Sequence, residues 1–171
     1  ESVGVIHHMQ NPLKGLNILL NLLEPHGILK LGLYSEIARN DIIEAREFIQ
    51  KNRFGSTIKD IRNVRQFIFN EKKNKLLKNI SENGDFFSTS NVRDLIFHVQ
   101  EHRFTLPQIS KILLDFNLEF LGFIDLELKK KYSELYPDDK NYLSLKNWNE
   151  FEIKYPHTFN NMYKFWVKKI N

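Results

Sequence analysis

Ser2-Val3-Gly4-Val5-Ile6, the loop His7-His8-Met9-Gln10-Asn11, a leucine-spaced run from Pro12 to Leu23, and Ile28-Leu29-Lys30-Leu31-Gly32-Leu33-Tyr34 together decide the fold. The first segment is short, β-branched and apolar, which predicts a buried parallel strand. Asn11 suits a helix N-cap, and Pro12 suits the first helical turn, where its missing N–H costs nothing. Leu13, Leu16, Leu19, Leu20 and Leu23 recur at helical spacing and give one apolar stripe. Glu24-Pro25-His26-Gly27 stops that helix, and Ile28–Tyr34 predicts the second strand. Strand, helix and strand with short connections form a βαβ unit, whose crossover is right-handed and whose strands are parallel. The exits of both strands then share one rim, which carries His7-His8-Met9 and Tyr34-Ser35-Glu36. In open α/β sheets ligands bind at that rim.

Beyond Tyr34 the pattern turns helical. Ile37, Ile42, Ala45 and Ile49 mark one helix, while Ile58, Ile61, Val64, Arg65 and Ile68 mark another. Thr57 with Asp60 resembles a capping box. Residues 35–84 are expected as a helical insertion, and 85–171 as the remaining sheet edge with its helices. Within the latter, Thr105 caps a helix from Leu106 to Phe116 opened by Pro107, and Leu118–Phe123 reads as a strand. Helical stretches follow over Leu126–Leu135 and Leu143–Tyr155. Met162–Val167 closes the chain as a strand, with a terminal helix from His157 as the alternative. The expected class is α/β, with 1–34 as the βαβ unit of one domain.

Composition narrows the function. The 171 residues are 42% hydrophobic and 27% charged, enough apolar material for a core. With no Cys, disulfides and thiolate metal sites are excluded. No apolar stretch is long enough to span a bilayer, so no membrane partner is expected and the composition reads as cytoplasmic. Net charge is +4. The lysines are interleaved with Glu and Asp, as solvated helix faces are, so nucleic acid is not an expected partner.

Val5-Ile6-His7-His8-Met9-Gln10-Asn11-Pro12 resembles the V-L-H-H-x-x-D-P segment after the fourth strand of class I S-adenosylmethionine-dependent methyltransferases. Asn11 stands where that family usually has Asp. Leu33–Arg39, residues 93–102 and Met162–Val167 are similar to stretches of a bacterial subgroup in which such a domain is often fused to tetratricopeptide repeats. The resemblance implies a partial Rossmann-like sheet, its fourth to seventh strands, with a helical insertion after the fifth and the last strand inserted antiparallel. It places the first strand, the Gly-rich loop and the ribose-gripping acid upstream of Glu1, in a missing N-terminal half of the domain. Gly4, Gly27, Gly32 and Gly55 form no Gly-x-Gly cluster, so this chain alone is expected to bind cofactor weakly or not at all.

The same resemblance implies the site. His7 or His8 would orient the methyl acceptor or take its proton, since imidazole titrates near neutral pH. His7 and Met9 would face the cofactor, S-adenosylmethionine. Tyr34 and Arg39, at the start of the insertion, would contact the acceptor, although Arg39 also reads as a surface helix charge. His98, Gln100 and His102 would line the acceptor pocket or tie the insertion to the sheet. If helical, His98 and His102 share a face at metal-site spacing, but no third ligand is evident and no metal is expected. The function implied is methyl transfer to an unidentified acceptor. A non-catalytic binding or scaffold module of the same fold is the alternative, and a divalent-metal hydrolase using the histidines a further one.

Overall fold

Ser2 and Val3 lie beside Leu31 and Gly32 in a parallel pair, so β1 (Ser2–Val3) and β2 (Ile28–Tyr34) run in the same direction. The helix between them, α1 (Pro12–Leu22), starts where expected: the Asn11 side chain accepts from the Lys14 N–H at 3.0 Å, and Pro12 occupies its first turn. The first strand is shorter than its sequence suggests. Gly4 takes a positive φ of 74°, a conformation that glycine enters without steric cost, and the chain leaves the sheet there. Val5 is consequently exposed, and Ile6–His8 coil into a 3-10 turn where a strand end and a loop were expected.

The computed structural model describes residues 1–82, 84–97, 100–124, 128–159 and 162–171. The chain divides into two compact units, Glu1–Ala38 with Gln100–Asn171, and Arg39–Val99. In the first, Thr105 and Gln108 complete a reciprocal capping box at the start of α6 (Leu106–Asp115), preceded in chain order by the four helices of the second unit. Asn117, at φ 52°, turns the chain out of α6 into β3 (Leu118–Phe123). Two helices follow, α7 (Lys129–Leu135) and α8 (Leu145–Lys154), before β4 (Met162–Lys169) closes the sheet as a strand. Leu126 lies outside the described residues, and Ser144 rather than Leu143 opens α8 by accepting from the Asn147 N–H.

The sheet order is β1-β2-β4-β3, with β4 antiparallel to both neighbours. Alternation along β4 puts Tyr163, Phe165 and Val167 in the core and leaves Lys164 and Trp166 exposed. The inward side chains meet Leu16 and Leu20 of α1, Leu106, Ile109 and Leu113 of α6, and Trp148 and Phe151 of α8. Tyr132 stacks on Trp148 with ring centroids 3.7 Å apart. Because the Thr105 cap holds the first turn of α6, Thr105→Ala should cost about 1 kcal/mol. Urea denaturation checks this; an unchanged midpoint would show that the loop before α6, not the cap, fixes the helix start.

The second unit holds α2 (Asn40–Lys51), α3 (Ile58–Asn70), α4 (Lys75–Ser81) and α5 (Thr89–Ile96). Ile42, Ala45 and Ile49 pack with Ile61, Val64 and Ile68, the residues whose spacing predicted these helices. Thr57 both accepts from the Asp60 N–H and donates to its carboxylate. Leu77, Ile80, Phe86, Val92 and Ile96 complete this core, so α5 packs with the helices of this unit, whereas the sequence grouped 85–171 as the remaining sheet edge with its helices.

Candidate functional site

The parallel pairing of β1 and β2 brings their exits together, as the βαβ reading required. His7 stacks on Tyr34, ring centroids 3.8 Å apart and planes 31° from parallel. His8 meets His7 edge-on at 4.4 Å and Tyr34 at 5.6 Å, so the three rings form one cluster over the rim. Burial separates the two histidines. His7 is wholly buried, whereas His8 is half-buried. His8 Nδ1 lies 3.2 Å from the Gln100 carbonyl oxygen. A carbonyl only accepts, so Nδ1 carries the proton in the neutral ring and the lone pair falls on Nε2.

A segment distant in sequence closes this cluster. Residues 100–104 run along the exit of β2: the Phe104 N–H donates to the Tyr34 carbonyl at 2.8 Å, and the Glu36 N–H returns to the Phe104 carbonyl at 3.0 Å. The His102 N–H donates to the His7 carbonyl at 2.8 Å, tying the same segment to the 3-10 turn. Tyr34, Gln100 and His102 therefore gather at the rim with His7 and His8. His98 lies outside the described residues. Gln100 to Arg103 are not helical, which removes the basis for pairing His102 with His98 on one helix face. Among the described residues no group of three or more His, Asp or Glu could hold a metal ion.

Met9 follows the turn and is exposed, while its sulfur end rests against α1 at Gly15, where a Cβ would sit 2.5 Å from the Sδ. Arg39 opens the second unit at 3% exposure and so is not the surface helix charge its sequence also suggested.

The sequence reading missed a buried carboxylate beneath the rim. Glu152, on α8, is fully buried; its Oε1 accepts from the Ser35 hydroxyl at 2.5 Å and its Oε2 from the Tyr163 hydroxyl at 2.6 Å. Ser35 in turn accepts from the Ala38 N–H at 3.0 Å, which fixes the turn directly after Tyr34. Burial pushes the Glu152 pKa above the usual carboxylate range, against the two hydroxyl hydrogen bonds, which pull it down. Burial, then the adjacent Glu152 charge, raises the Tyr163 hydroxyl far above its ordinary value, so it stays a donor. The signal was present in the sequence: Glu152 occupies the i+4 place of the stripe Trp148, Phe151, Glu152, Tyr155, where an apolar residue belongs.

Solved structures share this fold. The fold is similar to that of the methyltransferase PKMT2 from Rickettsia typhi, with a TM-score of 0.68 at 16% identity over 97% of this chain and 34% of that one. The complex of PKMT2 with AdoHcy superposes with a TM-score of 0.57, again at 16% identity, over 98% of this chain and 34% of that one. The chain thus has a methyltransferase-like α/β fold. In sequence it is 31% identical over 131 residues to the uncharacterized protein syc1184_c of Synechococcus sp., which covers 72% of this chain and 31% of that protein. The chain therefore spans about a third of the length of these proteins. No protein-family model matches. Among the described residues no helix is long and apolar enough to cross a membrane.

Proposed function

We propose that this chain is the acceptor-side part of an S-adenosylmethionine-dependent methyltransferase domain. The observation that carries the reading is the sheet: two parallel strands whose exits share a histidine-lined rim, followed by a last strand inserted antiparallel. That order corresponds to the fourth, fifth, seventh and sixth strands of the class I methyltransferase sheet, and the likeness to PKMT2 bound to AdoHcy supports it.

When bound, S-adenosylmethionine supplies an electrophilic methyl group. The residues present fit an edge of such a cofactor: exposed Met9 offers an apolar contact at the rim, while the sequence holds no Gly-x-Gly turn to cradle it. In this reading His8 acts on the acceptor. Its Nδ1 proton is directed to Gln100, so its Nε2 takes the proton that the acceptor loses. His7, buried against Tyr34, serves by holding that turn in place. Positioning of this kind supplies much of the rate in a displacement at carbon.

Calorimetry tests the reading. AdoHcy titrated into the full-length protein should give saturable heat, weakened by Met9→Lys, whereas the chain from Glu1 to Asn171 should give none. A full-length protein that binds no AdoHcy sinks the methyltransferase assignment.

A further inference from the structure

Beside the rim lies a groove of about 470 Å³ that the reading above leaves without an occupant. One wall is the start of α1, from Gln10 to Leu13; the other is His102–Phe104 with the outward face of α6, from Gln108 to Asp115. The groove adjoins the histidine cluster on both sides, because Gln10 follows the 3-10 turn and His102 is bonded to His7.

Its polar lining is biased toward hydrogen-bond donors, and the bias follows from the helix caps. Asn11 Oδ1 is taken by the Lys14 N–H, and Gln108 Oε1 by the Thr105 N–H at 2.8 Å. A backbone N–H can only be met by the amide oxygen, so both side-chain amides are fixed with their NH₂ groups as the remaining function. The lining carboxylate, Asp115, is matched by Lys111 one turn before it, at 3.0 Å. Arg103 adds a guanidinium that is ion-paired at 3.7 Å to the buried Glu101 carboxylate, which lies outside the lining. The start of α1 contributes the positive end of a helix dipole. Leu13, Phe104 and Ile112 supply apolar walls.

We propose that this groove docks a carboxylate carried on a short apolar body, the acid-bearing part of the methyl acceptor. That the ligand is an acceptor rests on the methyltransferase reading; that the groove binds an acid does not. Arg103 and the Asn11 and Gln108 amides hold the carboxylate oxygens, and Phe104 and Leu13 flank the body.

Nitrogen-15 NMR titration with 3-phenylpropionate and with its neutral amide tests this, since the two probes share a shape and differ in charge. The acid should shift the Asn11 and Gln108 side-chain amide signals and the Phe104 backbone signal saturably, and bind at least tenfold tighter than the amide. Arg103→Gln should weaken the acid about tenfold. Asp115→Asn, on an exposed pair, should tighten it about threefold by releasing Lys111, a gain that misfolding cannot mimic. Equal binding of both probes, absent shifts at these residues, or an Asp115→Asn affinity that does not rise overturns the proposal. Acid binding in a protein that fails to bind AdoHcy upholds the groove and removes only the methyl-transfer role.

Discussion

Gly32→Val should lower the melting temperature by about 2–12 °C, from an overpacking cost of about 1–3 kcal/mol in a chain of this size. A Cβ at Gly32 would stand 2.7 Å from Val3 Cγ1, 2.9 Å from Val3 Cα and 3.0 Å from Met162 Sδ. The methionine can swing aside; the Val3 backbone cannot without leaving its pairing. Since β1 contributes two residues and β2 is held along its whole length by β4, β1 is the strand that yields. The loss should therefore be local before it is global. Amide exchange should accelerate first at Gly4, whose N–H donates to the Gly32 carbonyl at 3.3 Å, and at His102, whose N–H reaches His7. The β2–β4 ladder should stay protected, and Gly32→Ala should show the same order with a smaller shift. Unchanged exchange at Gly4 would mean that β1 moves with the valine and that the rim is not sensitive to this contact.

That contact also marks where sequence reasoning ran out. The βαβ unit was legible because each of its signals is local: the Asn11 cap, Pro12 in the first turn, the leucine stripe and the breaker at Pro25 to Gly27. For β4 the sequence left a strand and a terminal helix both open, and the structure decides for the strand, with Tyr163, Phe165 and Val167 buried and Lys164 and Trp166 exposed. Gly4 misled because an apolar, β-branched run outweighed a single glycine, although glycine inside a strand pattern is itself a sign of a bend. The α5 helix went unread because it is short and its apolar face, Val92, Leu95 and Ile96, gains meaning only against α2 and α3.

For the site, residue identity was legible and arrangement was not. His7, His8 and Tyr34 sit at strand exits, which the βαβ topology predicts, but their division into a buried and a half-buried ring depends on packing. The meeting of residues 100–104 with the exit of β2 joins segments far apart in sequence through backbone hydrogen bonds, which carry no side-chain signature. The groove is donor-rich for a similar reason. Nothing in Asn11 or Gln108 as residue types says which end of each amide is already engaged by a helix cap.

The largest loss is expected at the carboxylate beneath the rim. Glu152→Ala leaves the Ser35 and Tyr163 hydroxyls buried without their acceptor and opens a cavity, at a cost of about 3–5 kcal/mol. Glu152→Gln keeps the volume and one acceptor oxygen and should cost about 1 kcal/mol near neutral pH. The two variants separate packing from charge, and pH separates them further. Burial raises the Glu152 pKa in the folded chain above its unfolded value. Its contribution to stability is then fully present below the unfolded carboxylate range and is lost as pH rises through the folded pKa, where the buried group must ionise. The glutamine has no proton to lose. The advantage in melting temperature of the wild-type chain over Glu152→Gln should therefore shrink as pH rises above the unfolded carboxylate range, while Glu152→Ala stays the least stable throughout. Calorimetric scans at rising pH decide it. A wild-type advantage that grows with pH would mean that the two hydroxyl hydrogen bonds outweigh desolvation and that Glu152 is held as a stabilised anion. In that case the Ser35 turn, and the Tyr34 ring before it, would be anchored by a charge rather than by a neutral acid.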